Sequence, residues 1–196
     1  MKTIYFIRHG KTKYNIKGRF VGSTDLPLTS AGRQEIYDLW HERSNHVEKD
    51  VVYSSPMKRC IETAHIIFPD EHLEIIKNMA EMNFGIFEGK THDELMDMQA
   101  YKNFRSSKGK EKIPKGESGI EFGKRVLKGF FELINHMNKN NYETSVLICH
   151  GGVIMALFSM LCRESDDIYH YHIDNGQGFK AHYDENRKEL IILEKL

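Results

Sequence analysis

Three short segments of the chain carry side chains suited to phosphate chemistry. An Arg-His-Gly triplet contains Arg8 and His9, a Ser-Ser pair at residues 54–55 precedes Arg59, and a His-Gly-Gly triplet begins at His150. Arginine presents a planar fork that matches phosphate oxygens in pairs, and a neutral imidazole can attack phosphorus. Phosphoryl transfer depends mainly on positioning and charge neutralisation. Together these residue types predict a site for phosphoryl transfer.

The two histidines suggest two different catalytic roles. A neutral His9 would attack phosphorus and form a covalent phosphohistidine, while a protonated His150 would donate to the equatorial oxygens as they gain charge. The leaving alkoxide then needs a proton, which a carboxylic acid can supply before it activates water. Glu81 is the best candidate for this acid, and Glu88 is its competitor.

Simpler interpretations of these residues remain open. Arg59 could be a charge on a helix surface, and His150 could be a histidine of the core. The two glycines after His150 favour a ligand site, since glycine lets the backbone approach a ligand closely. His170 and His172 alternate near Asp174, but their spacing matches no specific metal site, so we expect no metal.

Short apolar runs precede each of the three segments and predict buried strands, at residues 4–7, 51–54 and 145–149. Strand and helix patterns alternate through most of the chain, which indicates an α/β fold with a largely parallel sheet and helices on both faces. Ligands in such folds bind beyond the carboxyl ends of the strands. We therefore expect the three segments to converge.

Periodicity and capping signals predict the other elements. Helices are expected over residues 29–44, 55–68, 91–104, 118–137 and 153–161. The second of these helices would begin at Ser55, with Pro56 in its first turn. Further strands are expected at 73–76 and 190–193, and residues 168–173 would form a hairpin with 179–183 around an Asn-Gly turn.

Six sequence blocks, in order from Ile7 to Ile154, resemble the histidine phosphatase superfamily, the phosphoglycerate mutase-like proteins. Residues 7–12 resemble its R-H-G-x-T signature, and 25–32 resemble D-x-P-L-T-x-x-G. Residues 54–64 resemble S-S-x-x-x-R-x-x-x-T-A, and 81–89 resemble E-x-x-F-G-x-x-E-G. Residues 114–126 resemble P-x-G-E-S-x-x-x-F-x-x-R-V, and 150–154 resemble H-G-G-V-I. A match to one block alone would be weak support for this family, but six matches in the same order are strong support.

The resemblance implies a three-layer α/β sandwich of the phosphoglycerate mutase-like type that needs no metal, and we expect no cofactor for this chain. His9 would be the nucleophile and Glu81 the proton donor. The implied catalytic residues are Arg8, His9, Arg59, Glu81 and His150. The implied substrate contacts are Arg8, Asn15, Gly22, Ser23, Arg59, Glu81, His150 and Gly151. Val21 is a departure, because the family often has glutamine there as a polar contact at the mouth.

The branch of the family is indicated by the short segment at residues 91–114, which contains only Arg105 and scattered lysines. Cofactor-dependent mutases carry an arginine-rich insertion here, so this chain is expected to pass its phosphoryl group to water as a phosphatase. Its blocks look most like those of alpha-ribazole phosphatases and related broad-specificity phosphatases. Alpha-ribazole 5′-phosphate is therefore the leading substrate.

Three alternatives remain open. The chain could be a cofactor-dependent phosphoglycerate mutase, or a phosphatase of sugar phosphates or phosphoglycerates. Outside enzymes, it could be a phosphate-binding module on the same fold. Such non-catalytic relatives typically lose the nucleophile or the acid, and neither His9 nor Glu81 is missing here.

Composition limits the partners. The 196 residues carry zero formal net charge and are 40% hydrophobic, so we expect a small phosphorylated metabolite as partner and neither nucleic acid nor membrane. No apolar run is long enough for a signal peptide or a membrane span, which predicts a cytoplasmic protein.

We expect one domain over 1–196 with a lid at about 78–117. The edge strand at 190–193 leaves a homodimer open.

Overall fold

Six strands form one sheet, in the order β3-β2-β4-β1-β5-β6, in the computed structural model, which describes residues 1–196. Strands β3, β2, β4 and β1 pair in parallel, and β5 and β6 add an antiparallel hairpin at one edge. This arrangement confirms the predicted α/β fold with a largely parallel sheet. The strands are β1 (Lys2–Arg8), β2 (Val51–Ser54), β3 (Leu73–Ile75), β4 (Thr144–Cys149), β5 (Gly178–Asp184) and β6 (Glu189–Lys195).

Helices cover both faces of the sheet, as the alternation in β1 shows. Ile4 and Phe6 belong to a core of 30 buried residues shared with the helices at residues 119–139 and 151–161. Tyr5 and Ile7 belong to a core of 11 buried residues shared with the helices at residues 30–40 and 58–67. The result is a three-layer sandwich. The helices are α1 (Lys13–Ile16), α2 (Ser30–Trp40), α3 (Lys58–Ile67), α4 (His92–Leu95), α5 (Gln99–Ser106), α6 (Gly119–Lys139) and α7 (Gly151–Leu161).

The register of the parallel strands places the three polar segments side by side. Arg8 of β1 is level with Cys149 of β4, and Ser54 of β2 is level with Ile148 of β4. The chain leaves all three strands at this level, and the N–H of His9 donates to the carbonyl of Cys149 at 3.0 Å. The predicted convergence at the carboxyl ends is thus confirmed.

The predicted hairpin between residues 168–173 and 179–183 is wrong. Residues Ile168–Tyr171 form a 3-10 helix, begun by Asp167, whose carboxylate accepts from the N–H of Tyr169. A strand would place Tyr169 and Tyr171 on one face, but Tyr169 is 74% exposed and Tyr171 is fully buried. Strand β5 pairs instead with β6.

The predicted helix over 91–104 is divided into α4 and α5. Leu95 and Tyr101 are both buried, yet residues six apart lie about 120° apart around a straight helix. The break between the two helices lets both side chains enter the core. The first predicted helix also ends earlier, at Trp40 instead of residue 44, and a 3-10 turn follows at Arg43–His46.

Residues 78–117 connect β3 to α6 through short helices and turns, and Arg19 pairs with Thr91 of this segment in an isolated bridge. A lid function for the segment stays a prediction. Strands β3 and β6 are the sheet edges, and a homodimer through the β6 edge also stays a prediction. None of the helices combines the length and the apolar character that crossing a membrane requires.

Candidate active site

A cavity of about 220 Å³ opens beyond the carboxyl end of β1. Its polar lining residues are Arg8, His9, Asn15, Arg19 and Glu81. The remaining lining residues are Val21, Phe84, Gly151, Gly152 and Met155. The cavity therefore joins a cationic and imidazole-containing end to a wall that includes apolar side chains.

His9 is buried, with its ring fixed by the backbone. Nδ1 donates to the carbonyl oxygen of Gly10 at 2.7 Å, so Nε2 is left unprotonated in the neutral ring. Burial, with the positive charges of Arg59 and Arg8, holds the pKa of His9 well below its ordinary value. Thr63 accepts from the N–H of Gly10 at 3.0 Å and so fixes this turn. The result is a neutral imidazole with a free nucleophilic nitrogen.

Arg59 and His150 are fully buried next to His9 and, like Gly22 and Ser23, lie outside the cavity lining. The rings of His9 and His150 are 5.1 Å apart between centroids. Arg59 donates from Nε to Nδ1 of His150 at 3.3 Å, and from its two Nη atoms to the carbonyls of Gly22 and Thr24. Three of the five guanidinium N–H groups are thus used, and two remain.

His150 is neutral in this arrangement. Burial, with the charge of Arg59, holds its pKa well below the ordinary value. Because Nδ1 accepts from Arg59, Nε2 carries the proton, which it donates to Oγ of Ser55 at 2.7 Å. The prediction of a protonated His150 therefore does not describe the site without a bound anion.

Sequence reasoning missed the contact between Ser55 and His150. It assigned Ser55 as the cap of a helix starting at residue 55, but α3 begins at Lys58, with Met57 as its N-cap. The hydroxyl of Ser55 holds His150 instead. The only sequence signal was the position of Ser55 at the end of a buried strand.

Arg8 leaves one donor without a partner. Its Nη1 donates to the carbonyl of Ile173 at 2.6 Å, but its buried Nε has no hydrogen-bond partner, the only such side-chain nitrogen or oxygen in the chain. A buried unpaired donor is costly unless a ligand satisfies it. A Cβ on Gly151 would lie 3.2 Å from Nε and Cζ of Arg8, so this glycine gives the guanidinium its room.

Glu81 lies at the side of the cavity, held by two backbone donors. Its carboxylate accepts from its neighbour Met82 at 2.9 Å and from Gly152, in the first turn of α7, at 3.0 Å. Burial raises the pKa of Glu81, and these two hydrogen bonds oppose the shift. A side chain at residue 152 would collide with the carboxylate. A raised pKa suits a carboxyl group that must carry a proton.

The backbone around Glu81 is held by Arg125 of α6. This guanidinium donates to the carbonyls of Asn78, Ala80 and Glu81 and, through two further bonds of 2.8 Å, to the carboxylate of Glu117. All five N–H groups are used. The segment that carries Glu81 therefore depends on a side-chain network that motif matching did not reveal.

Glu88, the competing acid, has a different role. Its carboxylate accepts from the N–H groups of Gly22, Ser23, Thr24 and Phe84. Although burial disfavours its charge, hydrogen bonds from Thr24, Gly22 and their neighbours hold the pKa of Glu88 below the ordinary value. Glu88 therefore stays ionised and outside the cavity lining.

Gly22 and Ser23 do not line the cavity. Their N–H groups are occupied by Glu88, so a substrate contact by either residue stays a prediction. Asn15 does line it: its Oδ1 accepts from the N–H of Thr12 at 2.9 Å, which turns the amide Nδ2 outward as a donor. No group of three or more His, Cys, Asp or Glu side chains is placed to hold a metal ion.

The fold and this cavity define a class of protein. A neutral buried histidine, an unpaired arginine donor and a carboxyl group of raised pKa meet at the ends of parallel strands. The chain belongs to the histidine phosphatase superfamily (branch 1), whose family model matches residues 4–195.

The relatives of this chain include named phosphatases. A Hydrogenobacter thermophilus protein described as a candidate phosphoserine phosphatase is 30% identical over 201 residues, which is 100% of this chain and 97% of the relative. The adenosylcobalamin/alpha-ribazole phosphatase of Escherichia coli is 28% identical, over 88% of this chain and 86% of its own. These relatives and the family match identify the chain as a phosphatase.

A solved structure supports the same class. The alpha-ribazole phosphatase of Shigella flexneri superimposes with a TM-score of 0.84 at 26% identity, over 97% of this chain and 95% of its own. The fold is thus of the phosphoglycerate mutase-like type predicted from the motifs.

Proposed function

We propose that this phosphatase hydrolyses monoesters of small phosphorylated metabolites through a phosphohistidine at Nε2 of His9. In the first step the Nε2 lone pair attacks phosphorus, the P–O ester bond breaks, and Glu81 gives its proton to the leaving oxygen. In the second step the Glu81 carboxylate takes a proton from water, and the water oxygen attacks phosphorus. The P–N bond breaks, and inorganic phosphate and neutral His9 result.

The unpaired Nε of Arg8 is the observation that carries this proposal. It is the one buried side-chain donor in the chain without a partner, and it lines the same cavity as His9. A phosphoryl oxygen would satisfy it with a charge-assisted hydrogen bond. The position of a phosphoryl group between Arg8 and His9 follows from that pairing.

Arg59 and His150 support the same anion from behind. Two N–H groups of Arg59 have no protein partner, and its charge lies against both histidine rings. Binding of a phosphate dianion would raise the pKa of His150, because a nearby negative charge favours the imidazolium. Once protonated, His150 would give up the Nδ1 bond from Arg59 and donate from Nδ1 to the developing charge on the equatorial oxygens.

Glu81 fits the acid and base roles. Its raised pKa keeps it protonated at a higher pH than an exposed glutamate, and it lines the cavity that contains His9. The ionised Glu88 lacks both features. Among the two candidates from the sequence, the geometry therefore favours Glu81.

Alpha-ribazole 5′-phosphate is the leading substrate. The Escherichia coli and Shigella flexneri relatives carry this activity in their names. The Hydrogenobacter thermophilus relative favours phosphoserine as the second candidate. A phosphoglycerate mutase reaction would need a site for the second acidic group of its substrate.

The test compares the wild-type protein with His9→Ala. Wild-type protein should release phosphate from p-nitrophenyl phosphate and from alpha-ribazole 5′-phosphate, and His9→Ala should reduce both rates by at least about 10⁴-fold. Hydrolysis that survives in His9→Ala would contradict the nucleophile assignment. Isomerisation of 3-phosphoglycerate faster than hydrolysis of any monoester would favour the mutase. Binding of phosphate without turnover would favour the non-enzymatic alternative.

A further inference from the structure

The turn at residues 173–177, which precedes β5, lies against the segment that carries the nucleophile. Nη1 of Arg8 donates to the carbonyl of Ile173 at 2.6 Å, and the N–H of Gly176 donates to the carbonyl of Arg8 at 2.9 Å. The indole of Trp40, at the end of α2, donates to the carbonyl of Gly176 at 2.7 Å. The turn therefore has a defined position relative to β1.

Asn175 of this turn contacts the two residues that follow Arg8. Its amide donates to the carbonyl of His9 at 2.8 Å and to the carbonyl of Gly10 at 3.4 Å. No backbone N–H donates to either carbonyl, since β1 has ended at Arg8. The carbonyl of Gly10 also accepts from Nδ1 of His9 at 2.7 Å. Asn175 thus contacts the group that holds the imidazole ring.

The carbonyl of Gly10 determines which ring nitrogen of His9 is free to react. While Nδ1 donates to this carbonyl, Nε2 keeps its lone pair. As Nε2 bonds to phosphorus the ring gains positive charge, and the bond from Nδ1 to the carbonyl becomes charge-assisted. A carbonyl that moved away would lose this stabilisation and would leave the ring free to rotate.

We propose that Asn175 is a positioning residue for the nucleophile: its amide fixes the carbonyl of Gly10, and through that carbonyl the orientation of the His9 ring. This inference rests on the proposed phosphatase function and deepens it. Asn175 does not line the cavity that contains His9. Its effect should therefore appear in the rate of phosphoryl transfer to Nε2 and not in the affinity for the phosphoryl group.

Two variants separate the hydrogen bonds of Asn175 from its shape. Asn175→Ala removes the amide, and its backbone lies outside the left-handed region, so alanine is compatible with the conformation. Asn175→Gln keeps an amide donor. A second cavity of about 410 Å³, lined in part by Gly10, Leu39 and Asn175, gives the longer side chain room to reach the same carbonyls.

Gln177→Ala is the matched control in the same turn. Oε1 of Gln177 accepts from the N–H of Asp174 at 3.3 Å, so the substitution removes one side-chain hydrogen bond of the turn. The carbonyl of Gln177 accepts from the N–H of Arg8, and alanine retains this backbone bond. The carbonyls of His9 and Gly10 are not affected directly.

The experiment measures the rate of phosphoryl transfer and the affinity for phosphate separately. Rapid-quench kinetics with p-nitrophenyl phosphate give the rate constant of the first step, and competitive inhibition by inorganic phosphate gives the affinity. Asn175→Ala should lower the rate constant by about tenfold or more, because the reacting nitrogen is misplaced. Its inhibition constant for phosphate should stay within about twofold of the wild-type value. Asn175→Gln should recover most of the rate, and Gln177→Ala should change neither quantity.

Three results would overturn the inference. One is a rate constant in Asn175→Ala equal to that in Gln177→Ala. Another is a loss of phosphate affinity in proportion to the rate, which would make Asn175 a structural support of the whole site. The third is an equal loss in Asn175→Ala and Asn175→Gln, which would assign the effect to side-chain shape.

His9→Ala separates these results from failure of the proposed function. If hydrolysis by the wild-type protein depends on His9 and any of the three results is found, the phosphatase mechanism stands and only the role of Asn175 is wrong. A circular dichroism melt of each variant confirms that it is folded.

Discussion

The phosphate floor, formed by Arg8, His9, Arg59 and His150, and the acid arm, residues 78–85 with Glu81, are built in different ways. Three of the four floor residues, Arg8, His9 and His150, lie at or just after the ends of β1 and β4, which strand register holds side by side. The acid arm has no strand and only short 3-10 turns. It is held by hydrogen bonds from one arginine, Arg125.

This difference separates two parts of the reaction. In the proposed mechanism the floor contacts the phosphoryl group, which every substrate shares, whereas the arm delivers a proton to a leaving group that differs between substrates. Damage to the floor should therefore slow all substrates alike. Damage to the arm should slow the first step, phosphoryl transfer to His9, selectively for alkyl phosphates, because p-nitrophenolate is a weak base that leaves without a proton.

The largest contrast should come from Glu81→Gln. We expect kcat/KM for an alkyl phosphate such as glycerol 3-phosphate, which reports the first step, to fall by about 10²–10⁴-fold, because glutamine cannot donate a proton as an acid. The kcat/KM for p-nitrophenyl phosphate should fall by less than about tenfold, since that leaving group needs little assistance, although its kcat should fall further because Glu81 also activates water in the second step. Steady-state kinetics with both substrates checks this. Equal losses would assign the acid elsewhere.

Arg59→Lys tests the floor. Lysine keeps the charge but loses the planar fork that contacts His150 and the carbonyls of Gly22 and Thr24. We expect kcat/KM to fall by about 10²-fold for aryl and alkyl phosphates equally, as for loss of one donor to transition-state charge. A loss confined to the alkyl substrate would contradict the separation of floor and arm.

Arg125→Lys tests whether the network positions the acid. Lysine cannot reproduce the five bonds of Arg125, so the backbone around Glu81 should lose its fixed position. We expect about a tenfold loss of kcat/KM for the alkyl substrate, from displacement of the acid in the first step, and a smaller loss of kcat/KM for the aryl substrate. Arg163→Lys is the control and should change neither rate, because the exposed Arg163 side chain pairs with Glu189 and lies outside the cavity lining.

The dependence of the rate on pH should also differ between alkyl and aryl substrates. Since the pKa of His9 is lowered, both substrates should retain activity below pH 6.5, the ordinary imidazole value, and lose it only as His9 finally protonates. Since the pKa of Glu81 is raised above 4.5, the acid is lost only as pH rises through that higher value. The loss of activity at high pH should be marked for the alkyl substrate and should be absent in Glu81→Gln. If activity still falls at high pH in Glu81→Gln, that fall belongs to the ionisation of another group.

Sequence patterns predicted the floor better than its surroundings. Buried strands have a strong apolar signal, and parallel strands must end at one edge, so the meeting of His9 and His150 followed from the pattern. The roles of Ser55, Arg125 and Glu88 did not follow. They depend on hydrogen bonds between residues distant in sequence, which no local pattern records.

The two errors in the hairpin prediction have different origins. Alternating residues at 168–173 matched a strand, but Asp167 caps a 3-10 helix there through a local contact. The Asn-Gly pair after it matched a hairpin turn, but the amide of Asn175 donates to the carbonyl of His9 at 2.8 Å. In the second case a local pattern gave way to a tertiary contact at the site.

Trapping of the phosphoenzyme tests the central claim most directly. The wild-type protein is mixed with p-nitrophenyl phosphate, quenched with base, which preserves phosphohistidine, and digested for mass spectrometry. We predict one phosphoryl group on the peptide that contains His9, and a longer-lived adduct in Glu81→Gln, because water is no longer activated. Turnover with no phosphoryl group on His9, or with the group on another residue, would contradict the mechanism.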